Sequence, residues 1–99
     1  MIVIEKLEDY TLIRPDFDLV SDNLNEIKNT IFDLAGKGSY QIILELPAGR
    51  IIDPMGIGVI LACLKTLKVY GGNLMIRTDD SNIISLFHIL KLDHILAPL

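Results

Sequence analysis

From Met55 to Leu67 only Lys65 and Thr66 are strongly polar, and a run that apolar has to find cover somewhere in the fold. Its start is well marked. Asp53 reads as an N-cap, because its carboxylate can accept the N–H bonds that a first helical turn leaves unpaired. Pro54 suits the first helical position, where its missing N–H is no loss and its fixed φ is already helical. Gly71-Gly72 supplies the stop, since glycine takes the left-handed conformation that closes many helices. The pattern predicts a helix from Pro54 to about Tyr70, buried on nearly every side and not laid across a surface.

Gly56 and Gly58 interrupt that helix in its first turns. A glycine inside a helix costs roughly 1 kcal/mol relative to alanine, somewhat less near the end. Residues two apart are rotated by about 200°, so the two glycines face nearly opposite ways. One could let the helix approach a strand, and the other could leave room for something arriving from outside. The plainer alternative is a packing reason at both.

The rest of the chain alternates strand and helix signals. Ile2-Val3-Ile4 and Tyr10-Thr11-Leu12-Ile13 read as strands joined through Glu8-Asp9, and so short a connection makes an antiparallel hairpin. Pro15 ends the second strand. Asp18 or Ser21 then caps a helix in which Leu24, Ile27, Ile31 and Leu34 recur at three- and four-residue spacing, with Asp22, Asn25, Glu26, Lys28 and Asn29 on the wet face. Gly36 and Gly38 end it. Tyr40 to Leu46 has hardly any alternation, the mark of a strand covered on both faces. Pro47-Ala48-Gly49-Arg50 is a loop, and Ile51-Ile52 leads into Asp53. After the apolar helix, Leu74-Met75-Ile76 is another short strand. Asp79, Asp80 or Ser81 can cap a third helix with Ile83, Leu86, Phe87 and Leu90 inward. Asp93 to Leu96 is a candidate closing edge strand. The order β-β-α-β-α-β-α predicts an α/β chain with a mixed sheet and helical crossovers.

An Ile- and Leu-rich strand, a short loop, then Asp-x-x-Gly-Ile/Leu-Gly-Val opening an apolar helix resembles the signature of the STAS domain, a family that includes bacterial anti-sigma-factor antagonists and the C-terminal domains of sulfate transporters. The residues that carry it are Ile42-Ile43-Leu44-Glu45-Leu46, Asp53, Gly56, Ile57, Gly58, Val59 and Gly71-Gly72-Asn73-Leu74. Asp18, after Pro15-Asp16-Phe17, is similar to the family's Gly-x-Leu/Ile-Asp before its first helix, with the glycine replaced. The resemblance covers nearly all of residues 1–99, implies one domain, and implies helices mainly on one face of the sheet. It also implies a departure. Regulated antagonists carry Ser or Thr immediately before the motif glycine, where a partner kinase phosphorylates it. Met55 stands there, preceded by Pro54, and neither can accept a phosphoryl group.

Composition narrows the function classes. With 99 residues, 51% of them apolar and 22% charged, the chain suits one ordinary core and not a disordered tail. A formal charge of −4 provides no basic stripe for nucleic acid. The single cysteine, Cys63, cannot form an internal disulfide and reads as a small buried hydrophobe in a reducing cytoplasm. With no charged-then-apolar stretch and small-residue cleavage site at its start, the sequence gives no expectation of secretion. The longest unbroken apolar run falls far short of the roughly 20 residues a membrane span needs. His88 and His94 lack the converging ligands of a metal site. The serines sit in no nucleophile elbow, and neither a phosphate-binding loop nor a dinucleotide fingerprint is present. Nothing in the sequence calls for a cofactor, a metal or catalysis.

The expectation is a non-enzymatic, cytoplasmic interaction module. The resemblance implies that a protein partner docks on Asp18, Ile52, Asp53, Pro54, Met55, Gly56 and Gly58. It implies an anti-sigma-factor or histidine-kinase-like regulator as that partner. A constitutive subunit of a transport or signalling complex is the alternative, and a homodimer is compatible with either. A nucleotide or small-anion site at the positive end of the apolar helix is a further alternative, weakened by Asp53 at the cap and by the negative charge.

Overall fold

In a computed structural model, which describes residues 1–98, the chain folds as β1 (Ile2–Lys6), β2 (Thr11–Pro15), α1 (Leu24–Gly36), β3 (Gln41–Glu45), α2 (Pro54–Val69), β4 (Asn73–Arg77) and α3 (Ser81–Ile89), with short 3-10 turns at Ser21–Asn23 and Asp93–Ile95. The sheet order is β1-β2-β3-β4, antiparallel between the first pair and parallel thereafter. The hairpin closes tightly, with the Leu7 N–H donating to the Tyr10 carbonyl. The order of elements and the mixed sheet are those expected from the sequence.

Register decides which side of the sheet each residue takes. Ile13, Leu44 and Ile76 lie side by side, as do Thr11, Ile42 and Leu74, so both rows face the same way. They meet Leu24, Ile27, Ile31 and Ala35 of α1, Ile60, Cys63 and Leu67 of α2, and Ile83 and Phe87 of α3 in one buried core. The helices therefore cover one face. At the usual value of about 25 cal/mol per Å², burying each of these Leu and Ile side chains is worth about 1.5–3 kcal/mol.

Three expectations are corrected. β3 is not covered on both faces: Ile42 and Leu44 are buried while Gln41, Ile43 and Glu45 remain partly open. Its second face carries an ion-paired Arg14–Glu45–Arg77 row and a Tyr10 hydroxyl donating to Met75 Sδ at 3.8 Å, not a further layer. Branched aliphatics on an uncovered face mimic a doubly buried strand because they suit the pleat whether or not a second layer lies over them. Asp93 to Leu96 is a 3-10 turn whose only pairing with the sheet is a single bridge from Leu96 to Ile76. α2 is buried on one face alone, because a helix lying on a single sheet has only one side to bury. Its outer stripe of Met55, Gly58, Leu61, Ala62, Lys65 and Val69 is exposed.

Caps follow the chemistry of their side chains. Asp80 is the cap of α3, accepting from the N–H groups of Asn82 and Ile83. At α1 neither Asp18 nor Ser21 caps with its side chain. A 3-10 turn leads into that helix instead, and Asp18 is held elsewhere.

Candidate functional site

Two loops meet at the start of α2. Leu19, just after β2, forms a parallel bridge with Ile52, just before α2. The Leu19 N–H donates to the Ile51 carbonyl at 2.8 Å, and the Asp53 N–H donates to the Leu19 carbonyl at 3.1 Å. This miniature ladder continues the β2–β3 pairing past the sheet and brings the entrances of α1 and α2 together.

Two carboxylates lock the junction. Asp53 accepts the Gly56 N–H on one oxygen at 2.7 Å, which caps α2, and the Ser21 N–H on the other at 3.1 Å. Asp18 accepts the Ile51 N–H at 2.9 Å, with the Arg50 guanidinium 3.9 Å away. Both carboxylates accept main-chain N–H groups across the junction, so both residues act here as ties between loops.

The two glycines part company. A Cβ on Gly56 would lie 2.3 Å from the Leu19 carbonyl oxygen, so glycine at this position is what lets α2 seat against the junction. A Cβ on Gly58 would meet nothing within 4 Å. Of the two alternatives the sequence leaves open, a packing reason at both glycines is corrected: Gly56 serves a close approach, to a loop carbonyl and not to a strand, and Gly58 faces open space.

Beside this junction Met55 is 62% exposed and Ile51 60% exposed, with Pro54 and Gly58 also in solvent. Ile52 turns partly into the core. Of the residues singled out in the sequence, Pro54, Met55 and Gly58 thus form a surface, whereas Asp18, Ile52, Asp53 and Gly56 build the support beneath it. Ile51 belongs to the surface, although the sequence marks it only as a lead-in to Asp53. The signal available is its place two residues before Asp53, but exposure of an isoleucine cannot be read from a local pattern. The outer stripe of α2 carries the apolar surface onward through Leu61 and Ala62 as far as Lys65.

Asp80 ties a second loop to this end of the fold. It accepts the Gly49 N–H at 2.8 Å while capping α3. These main-chain donors, Gly49 first, hold its carboxyl below the usual carboxylate range. A shallow cleft of about 280 Å³ lies between Gly49, Ile51 and Ile52 on one side and Asp80, Ile83 and Leu86 on the other.

Nucleophiles and metal ligands do not gather here. Among the described residues no three His, Cys, Asp or Glu side chains converge. His88 Nδ1 pairs with Asp93 at 2.7 Å near the end of α3. Cys63 is fully buried in the core, and desolvation pushes its thiol up to about 11. Among the described residues no helix is long and apolar enough to cross a membrane.

Comparison with known proteins gives the family and the fold. The family model for the STAS domain matches residues 1–99. A Thermotoga neapolitana protein, provisionally named an anti-sigma factor antagonist and a homologue of TM1081, is 29% identical over 90 residues, covering 90% of this chain and 80% of its own. The crystal structure of TM1081 from Thermotoga maritima, provisionally described as an anti-sigma factor antagonist, superposes with a TM-score of 0.80 at 23% identity, over 96% of this chain and 82% of that one. The anti-sigma factor antagonist SpoIIAA in its unphosphorylated form superposes with a TM-score of 0.78 at 17% identity, over 98% of this chain and 86% of that one.

Proposed function

Since the chain belongs to the STAS domain family, we propose that it is an antagonist-like docking module whose partner surface cannot be switched by phosphorylation at the family's position. The observation that carries this reading is the outer stripe of α2. Met55, Gly58, Leu61 and Ala62 are exposed in sequence-consecutive turns where a free-standing surface helix ordinarily carries charge. Its first turn stands on the hydrogen-bonded two-loop junction. That support fixes the surface before a partner arrives, which lowers the ordering cost of binding.

On this reading Met55 takes the place where regulated relatives carry a phosphoacceptor, and a flexible thioether there makes an adaptable apolar contact. Pro54, Met55 and Gly58 touch the partner, with Ile51 at the rim. Asp18, Ile52, Asp53 and Gly56 set their positions. The partner class is an anti-sigma-factor or histidine-kinase-like regulator, with a contact that is constitutive. An anion site at the α2 N-terminus is disfavoured because the Asp53 carboxylate already occupies the Gly56 donor.

Met55→Asp tests this in one pair of measurements. A carboxylate in the first turn of an exposed helix end favours the helix by about 0.3–1 kcal/mol, so the thermal midpoint holds or rises slightly. Binding to a purified histidine-kinase-like anti-sigma regulator is lost, because the new charge would have to be desolvated against an apolar surface. Unchanged binding would remove Met55 from the contact. Incubation of the unaltered protein with that regulator and ATP leaves the intact mass as it was. A gain of about 80 Da mapped beside α2 would overturn the unswitched reading.

A further inference from the structure

We propose that the free edge of β1 pairs with β1 of a second copy of this chain, joining two four-stranded sheets into one. The order β1-β2-β3-β4 leaves two edges. The β4 edge is partly covered by the segment after α3, where the Ala97 N–H donates to the Ile76 carbonyl at 2.7 Å. Among the described residues nothing pairs with the outer side of β1.

The direction of each main-chain group on β1 follows from the bonds at its two ends. Asp16 donates to the Met1 carbonyl, and Leu7 donates to the Tyr10 carbonyl. In an antiparallel ladder bonded and non-bonded pairs alternate. Val3 and Glu5, which pair with Arg14 and Leu12, therefore bond inward to β2. Ile2, Ile4 and Lys6 aim their N–H and C=O groups outward, with no partner on the sheet.

Of the usual edge protections this strand has only its shortness and the charges of Glu5 and Lys6 at one end. It is unbroken over Ile2–Lys6 with no proline and no bulge, and Val3 and Ile4 are 48% and 52% exposed. It is also self-complementary. A two-fold axis normal to the sheet, passing between the two strands beside Ile4, places Ile4 opposite Ile4 of the second copy, Ile2 opposite Lys6, and Val3 opposite Glu5. All the outward-pointing groups then pair, two apolar side chains meet on the axis, and no like charges face each other. The arrangement is isologous and closes at two copies, with the helices of both on the same side of the doubled sheet. None of the residues proposed to dock a partner lies in β1, so this inference stands or falls apart from that reading.

Sedimentation velocity over a rising protein concentration, at about 0.15 M salt to screen the negative charge of each copy, reads the association directly. The expected result is a mass that climbs to that of two chains. Ile4→Pro removes an N–H that β2 does not use and that an edge strand can lose, so the variant keeps its circular dichroism and melting behaviour and stays monomeric. Should that variant fail to fold, Ile4→Lys sets two ammonium groups across the axis and weakens association by about tenfold or more. Oxidised Ile4→Cys links two copies covalently, whereas Lys6→Cys does not, its counterpart lying several residues along the strand. A wild-type chain that remains monomeric throughout, or an Ile4→Pro or Ile4→Lys variant that associates as tightly as wild type, overturns the proposal.

Discussion

On the inner face of α2, Gly56, Ile60, Cys63 and Leu67 are buried against the sheet and the junction of two loops, whereas on the outer face Met55, Gly58, Leu61 and Ala62 meet solvent. Each face holds a glycine, aliphatic residues and one sulfur atom. Up to Cys63 composition does not tell them apart, and only Lys65, further along the outer stripe, adds a charge. What separates them is contact: a neighbour stands 2.3 Å from the position a Gly56 Cβ would take, and none stands within 4 Å of the same point on Gly58. An apolar residue is a core residue only where the fold supplies a surface to receive it.

The sharpest way to break this comparison is Gly56→Val. The added side chain runs into the Leu19 carbonyl, which is main chain and cannot swing aside, so α2 must lift from the junction. A loss of about 3 kcal/mol or more is expected in a urea melt. A loss below about 1 kcal/mol would mean that the junction yields and that the glycine is not there for close approach.

Neighbouring positions 62 and 63 offer a chemical version of the same contrast. Cys63 is buried, with its thiol raised to about 11, and at neutral pH it is almost wholly protonated and shielded. Ala62→Cys places a thiol on the exposed face, with an ordinary pKa of about 8.5. In the folded protein the new thiol should react with an aromatic disulfide at least about a hundredfold faster than Cys63. Comparable rates would show that the two faces are not separated as described. Cys63 speeds up only on strong alkalinisation, because its raised pKa keeps the thiolate scarce until the pH approaches that value.

Asp53 stands at the boundary between the faces. Asp53→Ala deletes the cap of α2 and the bond to the Ser21 N–H together. Stability should fall by about 1–2 kcal/mol, the usual range for a lost cap. Asp53→Asn, which keeps an acceptor, should recover most of it. Equal losses in both variants would point to charge, not capping, as the contribution that matters.

The smallest expected effect is at Gly58. Gly58→Val meets open space, and the better helix propensity of valine over glycine roughly offsets its stiffness, so the urea midpoint should shift by no more than about 0.5 kcal/mol. Under the proposed function the same substitution blocks the partner. A variant as unstable as Gly56→Val would place both glycines in the core and remove the outer face from the docking surface.

Much was legible before any coordinates. The hairpin, the helix start at Asp53-Pro54, the chain reversals at Gly38 and Gly71, and the order of strands and helices rest on local chemistry: main-chain donors that need an acceptor, a proline ring that fixes φ, and a glycine free to take positive φ. Those causes act over a few residues and leave their mark in the sequence. The opposite facing of Gly56 and Gly58 also followed from helical rotation alone.

What no local pattern could decide was which apolar surfaces would be covered. α2 and β3 are each apolar enough to be buried on both sides, and each is buried on one, because all three helices lie on the same face of a single sheet. Likewise Asp18, a candidate cap by sequence, serves the Ile51 N–H across 33 residues, and the exposure of Met55 and Ile51 depends on where the loop before α2 comes to rest on the loop after β2. Hydrophobicity is non-directional, so a sequence can state how much apolar surface a chain has. Only the tertiary arrangement settles which of it is hidden and which is left exposed.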